Sequence, residues 1–165
     1  MALTEETTQD AALTTAAPET VTIFAEADFC DRKLTTKELG EMVELRLMAK
    51  ASAEKFRVLK PWGDSARYDC GLDNGRRIWR VQVRSATTLT RDDCYWIRTQ
   101  TSDGGTCRPY RRSEIDFMVA YVIPFDAWYV IPVRTIQKVK GIGLAPHRPS
   151  KAKYEKFREL WRLMK

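Results

Sequence analysis

Asp69, Gln82 and Arg84 are the residues of this chain whose types and spacing suit metal-assisted hydrolysis of a phosphodiester. Such a reaction needs a water made nucleophilic near neutral pH and a means of holding extra negative charge as phosphorus becomes five-coordinate. A hard divalent ion does both. Magnesium takes oxygen ligands in octahedral order and keeps several waters, so one or two carboxylates with neutral carbonyls suffice. Asp69 offers a carboxylate and the Gln82 amide a neutral oxygen. Arg84 offers permanent charge and a fork for phosphate, but a guanidinium holds its proton too tightly to act as a base.

These residues must be placed by a β-hairpin. Asp73-Asn74-Gly75 supplies turn chemistry between a strand around Arg67–Leu72 and one around Arg77–Ser85, because Asn and Gly tolerate the positive φ of tight turns. Trp79, Val81 and Val83 alternate with Arg80, Gln82 and Arg84, so the apolar trio packs on a core while the polar trio shares the other face. An even loop brings Asp69 onto that polar face. An odd loop or a bulge turns it among the apolar residues, and the site does not assemble. A cross-strand ion pair of Arg80 or Arg84 with Asp69 is the competing arrangement, and it neutralises the acid without a metal.

The rest of the chain supplies one domain around this hairpin. At 165 residues, 44% of them hydrophobic, the chain is long enough for one real core and too short for two large ones. Leu39, Met42, Val43, Leu45, Leu47 and Met48 recur near helical spacing from Leu34 to about Lys55, after Thr35 and Thr36 as N-caps with Glu38 in capping-box position. Strands are expected around Cys94–Thr101 and Thr106–Tyr110, on either side of the turn Asp103-Gly104-Gly105. Phe117–Ile123 and Trp128–Val133 are apolar runs short enough for buried strands. The expected fold is α+β, a central sheet with helices packed on it. Residues 34–138 form the domain, 139–150 a Gly/Pro linker, and 151–165 a basic amphipathic helix whose Tyr154, Phe157, Leu160, Trp161 and Met164 pack on the core.

Charge is unevenly spread. The net charge is +6, yet there are seven acids against two bases through Lys33, and fifteen against twenty-six beyond it. Residues 1–33 read as an acidic, disordered tail, with Val21-Thr-Ile-Phe as a segment able to dock. The basic remainder suits a phosphate polymer, or an acidic partner protein if the chain is an interaction module. Arg108, Arg111 and Arg112 around Tyr110, with Arg80 and Lys156, are the cations placed to meet nucleic-acid phosphates. Asp116, inside an apolar stretch, reads as structural. The four cysteines lack CxxC spacing, no apolar run is long enough for a membrane helix, and the start lacks a secretion signal, so a cytoplasmic protein is expected.

With the elements in this order the sequence resembles the PD-(D/E)XK nuclease superfamily, most of all the branch typified by group I intron homing endonucleases. The resemblance runs from about Leu34 to Val133. It is carried by Gly40 with Glu44, by Lys60-Pro-Trp-Gly-Asp-Ser-Ala-Arg-Tyr-Asp69, by Arg80-Val-Gln-Val-Arg84, and by Ile115-Asp-Phe-Met-Val-Ala-Tyr-Val-Ile-Pro with Trp128-Tyr-Val-Ile-Pro. It implies a restriction-endonuclease-like mixed sheet flanked by helices and cleavage of double-stranded DNA with Mg2+, for which Mn2+ can substitute. A homodimer or homotetramer is also implied. Residue by residue, Asp69 matches the metal-binding acid and Gln82 stands where many relatives have Glu or Asp. Glu44 matches the helix-borne acid that completes the metal shell, with Glu41 the next candidate one turn back. Arg84 stands where the family has Lys. That departure leaves two outcomes open, an active nuclease relying on the charge of Arg84, or a DNA-binding protein with weakened chemistry.

Overall fold

A computed structural model of the chain describes residues 34–63 and 65–165. The expected acidic tail and Asp64 lie outside the described residues. The first described element is the helix α1 (Thr36–Ala53). Its start is fixed locally: the Thr35 hydroxyl accepts from the Glu38 amide, and the Glu38 carboxylate accepts from the Thr35 amide at 2.8 Å. This reciprocal box satisfies two amides that no helical carbonyl reaches. Val43, Leu47 and Ala51, each four residues after the last, form its buried stripe, whereas Leu45, expected on that face, is 63% exposed.

The main sheet has five strands in the order β1-β2-β3-β7-β8. These are β1 (Arg57–Leu59), β2 (Cys70–Asp73), β3 (Ile78–Ala86), β7 (Phe117–Val122) and β8 (Ala127–Pro132). All neighbours are antiparallel except β3 and β7, which makes the sheet mixed. The parallel pair joins Gln82 to Met118 and Arg84 to Ala120 in register. Both strands from the apolar runs, β7 and β8, are buried on two faces. Phe117, Val119 and Tyr121 of β7 meet α1's core together with Trp128 and Val130, while Met118, Ala120 and Val122 face a second core with Tyr129 and Ile131. Their continuous apolar composition follows from this double burial.

The β2–β3 turn has the expected chemistry. Gly75 takes a φ of +85°, and the Asn74 side-chain oxygen accepts from the amides of Arg76 and Arg77 at 2.9 and 2.8 Å. The loop Asn74–Arg77 is even, and Cys70 pairs with Val81. The strand starts later than expected, at Cys70, so Asp69 sits just before it. A second hairpin, β5 (Gln100–Asp103) to β6 (Thr106–Pro109), turns on Gly104 and Gly105, both at positive φ.

Two C-terminal expectations are corrected. The supposed linker contains β9 (Gly141–Leu144), which pairs with β4 (Tyr95–Arg98). Gly141 permits that approach, because a Cβ there would lie 2.3 Å from the Trp96 ring. In place of a basic terminal helix there are short 3-10 turns at Pro149–Lys151, Glu155–Phe157 and Trp161–Met164. Arg158 is extended and Glu159 has a φ of +47°, so the chain leaves helical geometry midway. Tyr129 bridges Arg158, and the Glu159 amide donates to the Trp128 carbonyl at 2.8 Å, so this segment covers the outer edge of β8. Tyr154, Phe157, Trp161 and Met164 are nevertheless buried, because a spacing of three and four suits successive turns as well as a helix.

Candidate active site

Asp69 is fixed by β3. Its amide donates to the Val81 carbonyl at 2.8 Å, and its Oδ2 accepts from the Val83 amide at 2.7 Å and from Gln82 Nε2 at 2.5 Å. The even hairpin therefore brings Asp69 and Gln82 together. Oδ1 has no hydrogen-bond partner among the described residues, so one oxygen is held and the other is available. Burial pushes the Asp69 carboxyl above its ordinary value, and the charge of Glu44 adds to the rise. The Val83 amide, Arg84 and Gln82 oppose it without cancelling it.

Glu44 comes from α1, one turn before Met48, and lines a small cleft with Leu47, Met48, Lys60, Asp69 and Cys70. Its Oε2 accepts from Lys60 Nζ. Burial, with the Asp69 charge adding to it, pushes the Cys70 thiol in this cleft up to about 12. Two carboxylates and the amide of Gln82 form an oxygen-bearing set that suits a hard divalent ion retaining waters. Among the described residues no cluster of three His, Cys, Asp or Glu side chains is placed for a metal, so any such ion relies on Gln82, main-chain carbonyls or water for its remaining shell. Glu41 is exposed and pairs with Lys37 at 3.9 Å, outside the cleft-lining set.

Arg84 does not pair with Asp69. Its Nη2 donates to the Tyr110 hydroxyl at 2.7 Å and its Nη1 to the Val83 carbonyl at 3.4 Å, while its charge still lowers the Asp69 pKa. Arg80 does not pair with Asp69 either. Its Nε donates to Asp116 Oδ2 at 3.0 Å, and its other nitrogens reach the carbonyls of Arg112 and Ser113. Asp116 also accepts from the Arg80 amide at 3.0 Å, which gives this acid the structural place its apolar setting suggests. Arg108 is similarly engaged, by Glu114 at 2.6 Å and Asp103 at 3.1 Å. Arg80 and Arg108, both expected to meet phosphates, thus have donors turned to carboxylates and carbonyls of the protein. Arg111, Arg112 and Lys156 remain exposed.

Sequence reading placed Lys60 only within a matching motif and Tyr110 only within a basic cluster, and linked neither to Glu44 or Arg84. The signal for Lys60 is topological: β1 runs antiparallel to β2 with Leu59 opposite Gly71, so the residue leaving β1 arrives where β2 begins, beside Asp69. Tyr110 follows β6 in a basic cluster, and nothing local marks its reach to Arg84.

The solved structure of a bacterial homing endonuclease, I-Ssp6803I, superposes with a TM-score of 0.71 at 28% identity, covering 79% of this chain and 93% of that one. The crystal structure of MepB gives a TM-score of 0.37 at 15% identity, over 56% of this chain and 66% of that one. No curated protein matches. The sequence profile of the PD-(D/E)XK endonucleases matches residues 34–164, which takes in both the cleft and the C-terminal turns. With a mixed sheet carrying Asp69 and Gln82 beside a helix carrying Glu44, and a profile that spans nearly the whole described chain, this protein belongs to the PD-(D/E)XK endonuclease family.

Proposed function

We propose that the chain is a DNA endonuclease that hydrolyses phosphodiester bonds of double-stranded DNA with Mg2+, or with Mn2+ in its place. The observation that carries this reading is the hydrogen bond from Gln82 to Asp69 with Glu44 across the same cleft. Asp69 and Glu44 are the residues that would hold the ion, with Gln82 as the neutral group beside them. When bound, the ion supplies an activated water and positive charge against the phosphate. The reaction adds water across a P–O bond: the water oxygen bonds to phosphorus, the ester oxygen leaves and gains a proton, and a phosphomonoester and a hydroxyl result.

The residues divide the remaining work. Val83 and Gln82 hold Asp69 Oδ2, which aims the carboxylate without occupying both oxygens. Arg84 adds a fixed positive charge beside Asp69 and, being a guanidinium, removes no proton. Arg111, Arg112 and Lys156 are the exposed cations that face duplex phosphates in this reading. Two cuts in a duplex need two such sites, hence a homodimer or homotetramer. Among the described residues no helix is long and apolar enough to cross a membrane, and a cytoplasmic setting is part of the proposal.

The test is cleavage of supercoiled plasmid by the full chain with Mg2+ or Mn2+, beside Asp69→Ala prepared identically. Metal-dependent nicking that Asp69→Ala loses is the expected result. Arg84, tied to Tyr110, favours a second reading, a DNA-binding protein of the same fold with weakened chemistry. Duplex binding without cleavage in either metal would establish that reading instead. Binding to an acidic protein of similar charge, with none to duplex, would point to an interaction module.

A further inference from the structure

Two cations stand near the carboxylates of the cleft, and they are held in different ways. Arg84 is anchored by the Tyr110 hydroxyl and the Val83 carbonyl, so its guanidinium is a fixed charge. Lys60 leaves the end of β1 and donates to Glu44 Oε2 in the cleft that Asp69 also lines. Its side chain is 51% exposed and that of Glu44 is 30% exposed. Ion pairs this open to water are weak and readily exchanged.

Ligand exchange at this position has a clear direction. Lys60 bonds Oε2 of Glu44, so a divalent ion that takes this oxygen displaces the ammonium. Its flexible stem carries three rotatable donors, and the displaced charge stays at the mouth of the cleft, where the incoming anion is a DNA phosphate. Arg84 cannot make that exchange without giving up Tyr110.

We infer that Lys60, rather than Arg84, is the movable cation of this site: its ammonium neutralises Glu44 until a divalent ion binds there, and then faces the phosphodiester under attack. This rests on the nuclease reading of the same cleft. Lys60 keeps its proton and forms no covalent bond. It neutralises charge that builds on the non-bridging oxygens while water adds and the ester oxygen departs.

The experiment compares the full-length wild type with Lys60→Met, Lys60→Arg and Arg84→Met, with thermal melts to confirm folding. Calorimetry measures Mn2+ affinity without DNA, and single-turnover plasmid cleavage is read at saturating Mn2+. Lys60→Met is expected to bind Mn2+ roughly fivefold more tightly, because a competing ammonium has gone. The same variant should cut about a hundredfold more slowly. Lys60→Arg should restore part of the rate, and Arg84→Met should lose less than Lys60→Met. Unchanged or weaker Mn2+ binding by Lys60→Met overturns the inference, and so does cleavage at the wild-type rate. A wild type that binds Mn2+ and duplex yet cuts nothing overturns the nuclease reading and the phosphate half of the inference. The Mn2+ affinities of the wild type and Lys60→Met still decide the exchange at Glu44.

Discussion

Gln82 Nε2 lies 2.5 Å from Asp69 Oδ2, a hydrogen bond between residues thirteen apart that closes the mouth of the β2–β3 hairpin. The amide suits an acid that is buried and already raised by a neighbouring carboxylate, because it donates where a second acid would repel.

Gln82→Glu therefore separates stability from metal binding. The substitution puts a like charge in place of a donor, and we expect a loss of about 2 kcal/mol in the metal-free protein at pH 7. Mn2+ should bind about tenfold more tightly and recover the loss through linkage. Paired denaturant melts with and without Mn2+ read both effects. Equal stability of the two proteins without metal would exclude the repulsion on which this rests.

Asp69→Asn tests the cost of the buried charge. The folded pKa of Asp69 is raised, so its protonated form is favoured by folding. The stability it contributes is full below the ordinary value of 3.8 and falls as pH rises through the folded value. Asn keeps an acceptor for the Val83 amide and carries no charge. The variant should thus melt higher than wild type at pH 7, with an advantage that shrinks toward pH 3, while metal-dependent cleavage disappears. A variant that melts lower at neutral pH would show that the charge is satisfied.

Much of this arrangement is legible in the sequence because it is local. Asp73-Asn74-Gly75 fixes the turn, the alternation from Trp79 to Arg84 fixes the faces, and loop parity then decides where Asp69 falls. The box of Thr35 with Glu38 is equally local. What escapes is set by distant partners. Arg80 looks like a free cation until β7 and the loop before it bring Asp116 and two carbonyls around its fork. Gly141 and Gly143 look like linker glycines, yet in the fold they let β9 lie against Trp96 and Cys94. The terminal aromatics keep a helical spacing, but Arg158 and Glu159 bond the edge of β8, and the helix breaks there.

The division among the arginines predicts a difference in salt dependence. Arg112 is exposed, so Arg112→Ala should weaken duplex binding and reduce the slope of log affinity against log salt by about 0.9. Arg80 is bound to Asp116, whose carboxyl burial tends to raise but the Arg80 hydrogen bonds hold below its ordinary value. Asp116→Ala removes the acceptor of the Arg80 amide and the carboxylate partner of its guanidinium, and should destabilise by about 2–3 kcal/mol. A mild Arg80→Gln change should cost stability and leave the slope unaltered. Titrations at several salt concentrations separate the two classes, and a lowered slope in Arg80→Gln would return Arg80 to the DNA-facing set.

Glu114 gives the fold an acid-sensitive tie. Its carboxylate accepts from Arg108 at 2.6 and 2.8 Å and from the Arg111 amide at 2.8 Å. Chiefly through Arg108, its pKa is held at about 2 instead of 4.5. For a depressed carboxyl, the stabilisation is present above the ordinary pKa and is lost as pH falls toward the folded one. Glu114→Gln should therefore be less stable than wild type by about 1 kcal/mol above pH 5. That deficit should close between pH 4.5 and about 2, where the wild-type acid takes up its proton. Melts across this range provide the check, because a deficit independent of pH would assign the loss to packing around Arg108 and not to the ionised pair.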